Sequence, residues 1–134
     1  MIDGVCLCGA VRWTYDHEPE SALACNCTAC RRYGVLWAYG YVGEDVHTFG
    51  TTRAYTRPLG VDQVQLAFHF CTECGNLAFW QGLKPNEQGQ VRIGVNLRLA
   101  QPDAVAHIPI VHFDGLKTWS KLPPDGKRVA DCWF

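Results

Sequence analysis

The sequence predicts a mainly β fold built as one domain, 1–134, and three observations carry that prediction. Short runs rich in β-branched and aromatic residues recur along the whole chain. Glycine and proline separate the runs, at Pro19, Gly43, Gly50, Pro58, Gly60, Gly82, Pro85, Gly89 and Pro102. No fixed repeat and no Ser- or Pro-rich linker divides the 134 residues.

Taken in order, the runs place strands at residues 10–15, 35–42, 53–56, 64–70, 77–81, 90–96 and 106–113. The fourth alternates most cleanly, with Val64, Leu66, Phe68 and Phe70 on one face, and reads as a half-buried strand leading into Cys71. Regular helix has little room. One turn of helix is expected at residues 30–33 and another short helix around residues 99–105. The segment 122–127, with Pro123, Pro124 and Gly126, reads as an irregular surface tail.

Composition narrows the function. Apolar residues make up 48% and charged residues 19%, which is the balance of an ordinary globule that can bury a core. The formal net charge is -1, so no global field recommends a polyanion or a membrane surface. The nearest approach to a basic patch, Lys117, Lys121, Lys127 and Arg128, is interleaved with Asp114, Asp125 and Asp131 and reads as a solvated face. No stretch approaches the ~18 apolar residues of a membrane span, and the first cysteine falls at position 6, where a secretory leader would begin. The expectation is a cytoplasmic protein without nucleic-acid or membrane partners. Nothing in the sequence sets an oligomeric state.

The eight cysteines are then metal ligands or reactive thiols rather than a disulfide framework. Seven of them cluster: Cys6 and Cys8, then Cys25, Cys27 and Cys30, then Cys71 and Cys74. Zinc takes four thiolates at ~2.3 Å in a tetrahedron, and a cysteine pair on a tight turn supplies two corners. Pairing Cys6–Cys8 with Cys71–Cys74 closes one site, each claw followed by a glycine, Gly9 or Gly75, that lets the chain turn. Such a site would staple the N-terminus to the middle of the chain.

Cys25, Cys27 and Cys30 would hold a second ion with three thiolates and one position open. The alternative is a closed structural site, completed by Cys132 or by one of His17, His47, His69, His107 and His112. A third possibility is a triplet only partly loaded with metal. An open three-thiolate zinc carries a formal charge of -1, which makes it a weak Lewis acid toward water and suits it to an incoming thiol, which loses its proton on coordination. Arg31 and Arg32 follow Cys30 directly and are candidate substrate-binding residues, able to offset negative charge or fork onto a carboxylate. Trp37, Tyr39 and Trp80 are candidate pocket walls.

Three segments in this order, Gly4 to Val11 with Cys6-Leu-Cys8-Gly9, Cys25-Asn-Cys27-Thr-Ala-Cys30-Arg31-Arg32, and Phe70-Cys71-Thr-Glu-Cys74-Gly75, resemble the glutathione-dependent formaldehyde-activating enzyme family, which also includes centromere protein V. The likeness continues through Val91 to Leu97 and through His107-Ile108 to Trp119, and so spans about residues 4–122. The resemblance implies a β-tent of several coiled, mostly antiparallel sheets around a structural zinc. It also implies that Cys6, Cys8, Cys71 and Cys74 hold that zinc and that Cys25, Cys27 and Cys30 hold the active-site zinc. The implied activity is that of a carbon–sulfur lyase joining glutathione and formaldehyde into S-(hydroxymethyl)glutathione. The rival expectation is a non-catalytic zinc-stabilised binding module that uses exposed strand edges and the tail from Trp119 to Phe134.

Overall fold

The structure is a computed structural model, and it describes residues 1–58 and 65–132. Val64, expected to open a strand, and Leu59, Gly60, Trp133 and Phe134 lie outside the described residues.

The fold is mainly β with little helix. Its strands are β1 (Ile2–Val5), β2 (Arg12–Tyr15), β3 (Ala22–Cys25), β4 (Trp37–Tyr41), β5 (Val46–Phe49), β6 (Thr52–Thr56), β7 (Leu66–Cys71), β8 (Leu77–Gly82), β9 (Arg92–Asn96), β10 (Ile110–Asp114) and β11 (Ser120–Lys121). Among the described residues helix is confined to α1 (Thr28–Tyr33), α2 (Pro102–Val105) and 3-10 turns at Leu97–Leu99 and Val129–Cys132. Each of the seven expected strands overlaps an observed one; β1, β3, β5 and β11 come in addition.

Two open sheets result. One has the order β1-β2-β5, and the other runs β11-β10-β3-β4-β9-β8-β7-β6. Among the named strands pairing is antiparallel except between β10 and β3, which run parallel with Ile110 opposite Ala22 and Phe113 opposite Cys25. One parallel pair among antiparallel ones fits the mostly antiparallel sheets the family resemblance implies. The parallel pair has a functional effect, because both strands end at one edge and deliver Cys25 and Asp114 side by side.

The main core lies between the sheets, with Trp13, Ile93, Val95, Leu97 and Ile108 fully buried. A second cluster on the large sheet gathers Val35, Trp37, Phe68, Leu77 and Trp80, with Leu66 and Phe70 packed against it. The expected apolar face of β7 therefore forms, but Ala67 on the opposite face is buried too and a bulge falls between His69 and Phe70. Residues 122–127 are exposed and irregular. Among the described residues no helix is long and apolar enough to cross a membrane.

Candidate metal centres and active site

Two turns bring the first four thiols together. The Cys6–Cys8 turn joins β1 to β2 and the Cys71–Cys74 turn joins β7 to β8, with Gly9 and Gly75 both at positive φ, 83° and 77°. The four sulfurs lie within 4.8 Å of one another and could hold a metal ion. Cys6 Sγ is 3.7 Å from Cys8 Sγ, which is 3.6 Å from Cys71 Sγ. A zinc tetrahedron with bonds of ~2.3 Å has edges of ~3.8 Å, so the set fits that ion.

Backbone amides face these sulfurs, as a thiolate cluster requires. Val11 N–H donates to Cys6 Sγ at 3.2 Å and Glu73 N–H to Cys71 Sγ at 3.4 Å. The backbone N–H of Asn76 holds the Cys74 thiol down at about 6. The Asn76 side chain ties the claws together by accepting from Leu7 N–H at 2.7 Å.

The remaining three clustered thiols sit where β3 passes into α1. Cys27 is the N-cap of α1 and accepts from Cys30 N–H, while Cys27 N–H donates to Cys25 Sγ at 3.4 Å. The three sulfurs again lie within 4.8 Å of one another. Hydrogen bonding with Cys30 pulls the Cys27 thiol down to about 5, and the same contact, with burial, pushes Cys30 up. Charge therefore gathers first on Cys27. Trp37 Nε1–H donates to Cys30 Sγ at 3.2 Å, a fixed donor from β4.

Among the described residues no fourth ligand completes this triplet. Cys132 packs against the main core instead. The five histidines are engaged elsewhere: His17 with Asp45, His47 with Asp16, His69 with Thr52, His107 with Glu18 and His112 with Asp125. A site closed by Cys132 or by a histidine is not what the geometry supports.

The turn after β10 walls the triplet from the other side. Asp114 is buried and its carboxylate is held down at about 2, chiefly by Asn26 Nδ2, with help from Thr118 and Lys117 backbone N–H groups. Asn26 Oδ1 accepts in turn from Leu116 N–H at 3.0 Å, so the Cys25-Asn26-Cys27 loop and the 114–119 turn are latched together. Gly115 lies against the thiols: an added Cβ would stand 2.7 Å from Cys27 Cβ and 2.8 Å from Cys25 Sγ.

The triplet opens on a cavity of roughly 730 Å³. Cys25, Cys27 and Cys30 line it, as do the three aromatics expected there, Trp37, Tyr39 and Trp80, and Trp119. Arg31 and Arg32 do not. Both are exposed on α1, because each helical residue turns ~100° from the last and the face that carries Cys30 inward carries them outward. The basic residues that do line the cavity are Arg57, Arg92 and Lys121. Sequence reading missed them because they arrive from the end of β6, from β9 and from β11, far apart in the chain. A faint signal for Arg92 is its alternation with Gly94 on β9, a small residue opposite two aromatics.

The comparisons agree with this picture. The sequence profile of the family described as glutathione-dependent formaldehyde-activating enzyme matches residues 1–110. The crystal structure of a Rhodobacter sphaeroides protein superposes with a TM-score of 0.58 at 23% identity, covering 81% of this chain and 98% of that one, and so shares the fold. No curated protein matches the chain. With a profile match over most of its length and two thiol clusters that could hold metal, the chain belongs to the glutathione-dependent formaldehyde-activating enzyme family.

Proposed function

We propose that this protein is a zinc-dependent enzyme that makes or breaks a carbon–sulfur bond on a small thiol, with glutathione and formaldehyde the pair to test first. The observation that carries the reading is the three-thiol set Cys25, Cys27 and Cys30, short of a fourth ligand among the described residues and facing a cavity large enough for a tripeptide. Cys6, Cys8, Cys71 and Cys74 would hold a purely structural zinc. Bound at the triplet, zinc would supply acidification of an incoming thiol.

The chain's own groups do the rest. Trp37 Nε1–H and the amides of Cys27 and Cys30 spread the negative charge of the three sulfurs. Burial, above all, raises the pKa of Tyr39, which stays a neutral phenol at physiological pH and serves as a hydrogen-bond donor rather than a base. Trp37, Trp80 and Phe68 keep the cavity floor apolar. In the addition direction the sulfur lone pair forms the carbon–sulfur bond and the carbonyl π pair moves to oxygen. The proton given up by the thiol returns to that oxygen, so the step balances without oxidant or reductant.

The test is metal analysis with thiol titration. Two zincs per chain are expected, the second perturbed by glutathione, with carbon-13 formaldehyde and glutathione converging on the hydroxymethyl thioether resonance faster than without protein. A second ion indifferent to every thiol would sink the reading and leave the binding-module alternative.

A further inference from the structure

We propose that Arg92 is the residue that selects the thiol, by forking onto a carboxylate set well back from the sulfur. This rests on the reading of the triplet as a thiol site and adds to it a requirement on the rest of the substrate.

The placement of Arg92 follows from the sheet. On β4, Trp37, Tyr39 and Tyr41 point to one face; across the ladder Tyr39 stands opposite Gly94, which stands opposite Trp80. With no side chain at Gly94, the Trp80 indole lies down in the gap, where an added Cβ would overlap Trp80 Nε1. Tyr39 and Trp80 meet edge to face, with centroids 5.4 Å apart. The Arg92 guanidinium rests on this pair, 4.7 Å from the Tyr39 centroid and 5.9 Å from that of Trp80.

Two rings fix the guanidinium at the cavity wall without using its donors. Among the described residues it makes no ion pair and no hydrogen bond, although Arg92 lines the cavity and is exposed. Arg57 already takes part in another interaction. Of the acidic residues in the cavity, Asp45 is committed to Tyr41 N–H at 2.8 Å and to His17 at 2.9 Å. An oriented, rigid and unspent fork is the arrangement that recognises a planar carboxylate with two parallel bonds.

The strand measures where that carboxylate must be. Trp37, bonded to Cys30, and Tyr39, beneath Arg92, are two residues apart, a rise of ~7 Å. A thiol whose carboxylate sits three bonds from sulfur, as in cysteine, falls short. One with a carboxylate six or more bonds away reaches, and each carboxylate of glutathione meets that condition.

The experiment compares equilibrium binding of glutathione, glutathione dimethyl ester and 2-mercaptoethanol to the zinc-loaded protein, followed by NMR. Arg92→Gln is expected to weaken glutathione about ten- to a hundredfold while leaving 2-mercaptoethanol within about twofold, and Arg92→Lys to recover only part of the loss. The wild-type protein should show a similar penalty for the diester, a comparison that stands even if a variant folds poorly. Equal losses for both thiols, or none for glutathione, would overturn the assignment of Arg92. If neither thiol binds, the reading of the triplet fails along with it; binding of both without preference for carboxylate removes Arg92 alone.

Discussion

At the scale of single residues, Gly115 shows how little freedom the three-thiol cluster has. It belongs to the turn after β10, yet its missing side chain sets the shape of a loop that begins at Cys25. A methyl group there would stand 2.8 Å from Cys25 Sγ and 2.7 Å from Cys27 Cβ, and neither neighbour is the free end of a flexible chain. Overpacking of that kind costs about 1–3 kcal/mol. Gly115→Ala should weaken zinc at the triplet roughly five- to a hundredfold and leave the four-thiol site untouched, as read by competition with a chromophoric chelator. Asp114 acts on the same loop through charge. Its carboxylate, held at about 2 against an ordinary 3.8, is ionised throughout the neutral range, so its grip on Asn26 and Thr118 is present above pH ~4 and fades only as pH falls toward 2.

At the scale of elements, the strands that were legible are those whose composition agrees with their context. Residues 77–81 and 90–96 carry β-branched and aromatic side chains and lie inside the large sheet as β8 and β9. β3 was not legible because Ala22-Leu23-Ala24-Cys25 has weak strand preference; parallel pairing with β10 makes it a strand. β1 was hidden by Asp3 and Gly4, and Gly4 is needed where the Trp13 indole covers the backbone. Residues 106–109 read as strand, but the chain there closes the turn after α2, where Ala106 N–H bonds Pro102 O. The cysteine claws were visible in spacing because each is a local turn, whereas spacing alone does not fix which of them share a site. Arg92 was not, because its role exists only once β4, β8 and β9 are side by side.

The two thiol clusters differ in what they join. Cys8 and Cys71 lie 63 residues apart and link the small sheet to the large one, whereas Cys25 to Cys30 close only the start of α1. Borrowing the cross-link estimate for disulfides, a metal closing the long loop would contribute on the order of 4 kcal/mol, a large share of the 5–15 kcal/mol typical of a domain. Cys71→Ser should therefore unfold the protein or lower its Tm sharply, while Cys27→Ser should keep the native circular dichroism and lose only the second zinc.

At the scale of the whole molecule, the cavity and the second core share residues. Val35, Trp37, Phe68, Leu77 and Trp80 stabilise the large sheet, and Trp37, Phe68 and Trp80 among them also floor the chamber beside the triplet. Net charge of -1 leaves no long-range field to steer a ligand, so discrimination falls to contacts inside the chamber. The bond from Trp37 Nε1–H to Cys30 Sγ, at 3.2 Å, has one more consequence. An indole touching an electron-rich sulfur is quenched through that contact, and a metal that engages the sulfur lone pair lifts the quenching. The protein thus carries an intrinsic optical gauge of its second site: tryptophan emission should brighten as zinc fills the triplet, and Trp37→Phe should erase most of that response while the other four tryptophans remain.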